Sequence, residues 1–90
     1  MALLRRSRRS RPDLESVVTD VWREVLDRPV GPGDDFFDLG GNSLHAVQIV
    51  GRVEALLEVP VDVGTLFETL TAAGMAARLR TQLERGGASR

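Results

Sequence analysis

Asp34-Asp35-Phe36-Phe37-Asp38-Leu39-Gly40-Gly41-Asn42-Ser43-Leu44 is the stretch on which the reading of this 90-residue chain turns. Two adjacent glycines let the backbone fold back tightly. An Asn-Ser pair then stands where an apolar-periodic run begins, which sets a hydroxyl at the mouth of a helix. A helix N-terminus presents unpaired N–H groups and a positive dipole end, an environment suited to a serine that carries a phosphate. The same local chemistry also fits a plain helix start, so the surrounding chain has to decide.

Downstream, the helix runs from Ser43 to about Leu57, and Pro60 prevents much extension. At about 100° per residue, Ala46, Ile49, Val50, Val53, Leu56 and Leu57 share one face, the expected core face. Leu44, Val47, Gly51 and Ala55 fall on another, next to Ser43 and flanked by Gln48, Arg52 and Glu54. A second apolar stripe on a small domain cannot also point at the core. Beside a candidate reactive residue it reads as a docking surface, against the ordinary scatter of single apolar residues on protein surfaces.

Upstream, Leu14, Val17, Val18, Val21, Trp22 and Val25 recur at three- and four-residue spacing, predicting a first helix from about Asp13 to about Leu26. Pro12 and Asp13 suit its first turn, and Pro29 follows its end. The connection from about Asp27 to Asn42 is longer than the usual four to six residues, which points to function or to packing of its own. Phe36, Phe37 and Leu39 are expected to anchor it on the core. Beyond Pro60, a short helical turn is expected around Val63–Glu68. A last helix then begins near Thr71, a suitable N-cap, with Ala72, Met75, Ala76, Leu79 and Leu83 inward and Gly86-Gly87 ending it. The fold class is all-α: three main helices and one short one, with a long first loop.

Composition narrows the function classes. With no cysteine there is neither a disulfide nor a thiolate metal site. Four aromatic side chains and no tyrosine leave a core of Leu, Val and Ala. No apolar run approaches the ~20 residues of a membrane span, and no secretory signal opens the chain; the expected setting is cytoplasmic. The net charge of −1 hides an asymmetry. Arg5, Arg6, Arg8, Arg9 and Arg11 precede Pro12, and from there on seven arginines stand against thirteen acids, a balance of −6. Residues 1–11 are therefore read as a disordered basic arm, residues 12–86 as the folded domain and residues 87–90 as a flexible tail.

Two chemistries fail on spacing. A hydrolase elbow needs a glycine after the serine in G-x-S-x-G, and Gly41-Asn42-Ser43-Leu44-His45 lacks it. His45, the only histidine, lies about 200° around the helix from Ser43 and cannot serve as its base. A calcium loop counted from Asp34 puts Phe36, Leu39 and His45 at positions that need an oxygen ligand, a glycine and a glutamate. The arginine arm could meet nucleic-acid phosphates, but the domain behind it is acidic and has no basic or aromatic reading face.

The whole motif, Asp35-Phe36-Phe37-Asp38-Leu39-Gly40-Gly41-Asn42-Ser43-Leu44, resembles the phosphopantetheine attachment motif of carrier proteins, especially the peptidyl carrier (thiolation) domains of non-ribosomal peptide synthesis. The resemblance covers about residues 13–85. Leu66-Phe67-Glu68, Thr71-Ala72-Ala73 and Met75-Ala76 are similar to that family's approach to its last helix. It implies a four-helix carrier bundle that is monomeric and not itself an enzyme. Ser43 would be esterified by 4′-phosphopantetheine, transferred from coenzyme A by a separate phosphopantetheinyl transferase. The arm's thiol would hold an aminoacyl or peptidyl thioester, bringing in an adenylation enzyme and condensation or tailoring enzymes as partners. Leu44 and Val47, with Gly51 on the same stripe, fall at the implied docking positions. Phe37, Asp38, Leu39, Gly40, Gly41 and Asn42 support the motif, Phe37 and Leu39 as loop residues packed on the core.

Two positions depart from the family pattern. Asn42 stands where His or Asp is more usual, and Leu70 where many members have proline; neither touches the attachment chemistry. The chain further resembles the free-standing, type II peptidyl carriers of natural-product clusters, including that of bleomycin-type pathways. The alternative within the class is an acyl carrier of a polyketide or fatty-acid system, in which Asp more usually precedes the serine directly. From another class, the competitor is a small helical nucleic-acid binder acting through residues 5–11.

Overall fold

The computed structural model describes residues 13–88, with side chains through Arg85. Four helices follow in order: α1 Leu14–Leu26, α2 Ser43–Leu57, α3 Val63–Thr69 and α4 Ala72–Ala88. There is no strand among the described residues. The expected arm at residues 1–11 lies outside them.

Hydrophobic periodicity places the helices, and local polar chemistry starts and stops them. Asp62 accepts from the Gly64 amide at 3.0 Å to open α3. The Thr71 hydroxyl accepts from the Gly74 amide at 3.0 Å to open α4, the expected N-cap. Asp13 takes the extended N-cap conformation of α1 but makes no side-chain cap bond. The stops are less usual. Asp27, Glu58 and Leu70 all adopt the left-handed conformation, with φ of 55°, 58° and 59°. Each returns its amide to the carbonyl four residues back: Arg23, Glu54 and Leu66. Glycine is the common residue in that role, and none of these helices uses one.

This explains one difference from expectation. Gly86 and Gly87 do not end α4, which continues through them to Ala88. A glycine costs a helix about 1 kcal/mol relative to alanine but stops it only by turning left-handed. Gly40 alone among the described glycines has a positive φ.

The core is one cluster. Val18 and Trp22 from α1, Ala46, Ile49 and Val53 from α2, Leu66 from α3, and Ala72, Met75 and Leu79 from α4 are fully buried around Phe36 of the long loop. Helix α1 packs on both α2 and α4, and the short α3 bridges α2 and α4. Leu56, expected on the core face of α2, is 60% exposed. It sits at the edge of the stripe, where Leu57 closes the core instead, and lines a shallow surface depression with Val17 and Ala55.

The loop between α1 and α2 is tied down at several points. Val30 and Phe36 are buried and Leu39 is half-buried. The Phe36 amide donates to the Leu70 carbonyl at 2.8 Å, and the Ala73 amide donates to that of Pro32 at 2.9 Å. Phe37 packs on the core only from outside: it is 53% exposed and meets the buried Phe36 ring edge-on at 5.5 Å between centroids. Neighbouring side chains in a tight turn cannot both face inward. Phe36 takes the inward place, edge-on to Trp22 at 5.3 Å between ring centroids. Phe37 instead stacks on Phe67 of α3, with centroids 6.4 Å apart and planes 19° off parallel.

Candidate functional site

The loop arrives at α2 through a sequence of turns that leave little freedom at Ser43. Asp35 caps the first: its Oδ2 accepts from the amides of Phe37 and Asp38 at 2.9 and 3.1 Å. The Leu39 amide donates to the Asp35 carbonyl, that of Gly40 to Phe37 and that of Gly41 to Phe36, at 3.0, 2.9 and 2.9 Å. Arg28, from the far end of the loop, donates its Nη1 to the Leu39 carbonyl at 2.8 Å. Asp34 serves the same way, its Oδ2 accepting from the Gly31 amide at 2.8 Å.

The two glycines have separate reasons. Gly40 has φ of 86°, a conformation that side-chain-bearing residues rarely adopt. Gly41 has ordinary dihedrals but backs directly onto the Phe36 ring, leaving no room for a Cβ. One glycine is demanded by backbone geometry and the other by packing.

Asn42 then caps α2. Its side-chain oxygen accepts from the His45 amide at 3.0 Å, and its own amide donates to His45 Nδ1 at 3.2 Å. This reciprocal pair is a capping box with histidine in the place usually taken by Glu or Gln. The Asn42 carbonyl accepts from the Ala46 amide at 3.0 Å. Ser43 is the first residue of α2 and is exposed. The His45 and Ala46 amides are thereby used, while those of Ser43 and Leu44, one and two residues into the helix, are among the donors a helix leaves open. No acidic residue occupies the first turn, so the positive end of the α2 dipole is uncompensated there.

An exposed hydroxyl in this setting can accept an anionic substituent. It has no general base, because the imidazole is turned back to the N-cap amide. The apolar stripe predicted from periodicity is outside: Leu44 is 65% and Val47 59% exposed. Gly51 is exposed too, and a Cβ built on it would meet nothing within 4 Å.

Sequence reasoning missed three participants. His45 is the capping partner, which the Asn-x-x-His spacing signals as capping-box spacing. Phe67, 37% exposed, is the stacking partner of Phe37, a contact that no periodic pattern marks. Arg28 reaches across eleven positions, and nothing in the local sequence signals that contact.

Comparison with known proteins bears directly on this corner. Residues 16–79 match the family described as "Phosphopantetheine attachment site". A dimodular nonribosomal peptide synthase of Bacillus subtilis is 50% identical over 66 residues, which is 72% of this chain and 3% of that protein. BlmI, described as a type-II acyl-carrier-protein from Streptomyces verticillus involved in bleomycin biosynthesis, superposes with a TM-score of 0.78. It is 42% identical, over 88% of this chain and 96% of its own. The McyG A-PCP structure, complexed with phenylalanyl-adenylate, superposes with a TM-score of 0.69 at 30% identity, over 87% of this chain and 13% of its own. The chain thus spans a few per cent of the large synthase it matches and nearly all of the discrete carrier.

Proposed function

This chain belongs to the phosphopantetheine-binding carrier family, and we propose that it works as a peptidyl carrier with Ser43 as its attachment point. The family is non-catalytic, and its members bear covalently attached 4′-phosphopantetheine. Ser43 would form the phosphodiester when a transferase delivers the group from coenzyme A. The observation that carries this assignment is the exposed hydroxyl at the first position of α2, with no acid in that turn and the first two amides open to a phosphate.

The bound group supplies a terminal thiol that holds an acyl group as a thioester. The chain's own contribution is placement and recognition. The capped corner sets where the arm starts, and Leu44, Val47 and Gly51 offer a small apolar surface beside it. A small surface suits partners that must be released after each step. Those partners are a phosphopantetheinyl transferase, an adenylation enzyme and condensation or tailoring enzymes; the McyG structure, in which a carrier domain accompanies an adenylation domain, supports the second. Coenzyme A and adenylating enzymes set the work in the cytoplasm.

Incubation with coenzyme A and a promiscuous phosphopantetheinyl transferase should add one phosphopantetheine, seen by mass. Ser43→Ala should abolish the addition and keep the helical circular-dichroism spectrum. Equal modification of that variant would falsify the assignment of Ser43. A second reading, an acyl carrier of a polyketide or fatty-acid system, draws on the description of BlmI as an acyl-carrier-protein. Loading the holo form separately with an adenylation enzyme plus amino acids and with an acyltransferase plus malonyl-coenzyme A separates the two.

A further inference from the structure

We infer that His45 is a positioning residue for transfer to Ser43, acting through its hydrogen bond to the Asn42 amide; this rests on Ser43 being the attachment point. The two bonds between Asn42 and His45, at 3.2 and 3.0 Å, bracket the two residues between them, Ser43 and Leu44. One bond runs from the cap side chain forward to the helix. The other runs from the helix side chain back to the cap backbone.

The rest of the corner is held from elsewhere. Upstream, backbone bonds from Gly40 and Gly41 and the packing of Gly41 on Phe36 fix the loop. Downstream, the Ala46 amide begins the helical ladder. Between these two supports the Asn42 amide has one recorded partner, the imidazole. Asn42 itself is extended, with φ −137° and ψ −177°, and its amide donates to no backbone carbonyl. Removing the acceptor leaves the hinge residue between loop and helix held on one side only. The serine hydroxyl projects from the residue immediately after that hinge.

The bond also defines the imidazole. In that bond Nδ1 is the acceptor, at 3.2 Å from the Asn42 nitrogen. The required property is therefore an acceptor at the right reach, which glutamine supplies in ordinary capping boxes and leucine does not.

The kinetic consequence follows from the separation of positioning from docking. Val47 stands on the exposed face beyond the bracket, and Leu44, inside it, keeps the bond from the His45 amide to the Asn42 side chain, which loss of the imidazole does not remove. Loss of the acceptor widens the positions sampled by the hydroxyl, which affects the bound complex and hence kcat. KM for the carrier stays near its original value. Geometry-dependent losses of this type reach large factors for displacements near 1 Å; a one-sided loosening of the hinge is expected to cost on the order of threefold to tenfold.

The test measures steady-state phosphopantetheinylation of wild type, His45→Ala, His45→Leu and His45→Gln by one transferase, with amide hydrogen exchange of Asn42 followed by NMR on the same proteins. The Ala and Leu variants should lose kcat by that factor with KM little changed and show faster Asn42 exchange. The Gln variant should recover both. Nitrogen-15 shifts of the wild-type ring should report an unprotonated Nδ1. A wild-type rate in the Ala variant overturns the proposal, as does a Gln variant no better than Ala or Leu, because the imidazole would then act by direct contact with the transferase. If wild type itself takes up no phosphopantetheine, the assignment of Ser43 fails first. Wild type modified and the Ala variant unimpaired removes the positioning role alone.

Discussion

The Cα of Gly41 faces the Phe36 ring so closely that a Cβ there would stand 2.5 Å from Phe36 Cε1 and Cζ. The ring is fully buried and itself stands edge-on to Trp22, so it cannot swing aside cheaply. Gly41→Ala should therefore lower stability by about 1–3 kcal/mol, the usual cost of forcing an extra carbon into a packed site. A thermal melt measures it. Combining it with Phe36→Leu tests the cause: if the ring is the obstacle, the loss in the double variant is smaller than the two single losses together.

Phe36 and Phe37 are adjacent in sequence and opposite in role. Phe36→Ala removes a ring at the centre of the cluster and should cost about 3–5 kcal/mol in chemical denaturation. Phe37→Ala removes an exposed ring that stacks on Phe67 and meets Phe36 edge-on, and should cost about 1–2 kcal/mol, the worth of one to two aromatic pairs. Similar losses in both would place the Phe37 side chain inside after all.

The difference between these two rings shows how far the sequence could be read. Apolar periodicity located α1, α2 and the inward face of α4, because a helix repeats its environment every three to four residues. The loop has no such period. Which phenylalanine turns inward depends on hydrogen bonds to Asp35 and to the distant Leu70 carbonyl, and neither is visible in a local pattern. The same limit applies at Leu56, whose exposure depends on how far α1 and α4 reach over α2. Leu70 departs from the family's proline. Its φ of 59° is a conformation that proline's ring, fixed near −65°, cannot take. The place of Ser43 at the first position of α2 is legible for a different reason: its surroundings are contiguous in sequence, and the capping and glycine requirements act over a few residues.

Leu56 offers a direct check on the helix face. As a core leucine it would cost about 2–5 kcal/mol to truncate to alanine. At 60% exposure, Leu56→Gln should change stability by less than about 1 kcal/mol. Ile49→Val on the same helix is fully buried and should cost about 0.5–1.5 kcal/mol despite being the milder change. An order in which the Leu56 variant loses the more, measured by urea denaturation, would put Leu56 inside.

Leu44 and Leu56 are both exposed leucines of α2, separated by twelve residues, or roughly 18 Å along the axis. If apolar exposure alone attracted the transferase, charging either would slow loading. If docking is local to Ser43, only Leu44→Asp and Val47→Asp should raise KM for transfer, by on the order of tenfold for a surface apolar contact worth about 1–2 kcal/mol. Leu56→Gln should load at the wild-type rate. Melting temperatures keep the comparison clean: Leu44 and Val47 contribute little to the core, so their variants should melt within a few degrees of wild type. A large drop in melting temperature for either Asp variant would assign those side chains to packing and take the docking surface away from α2.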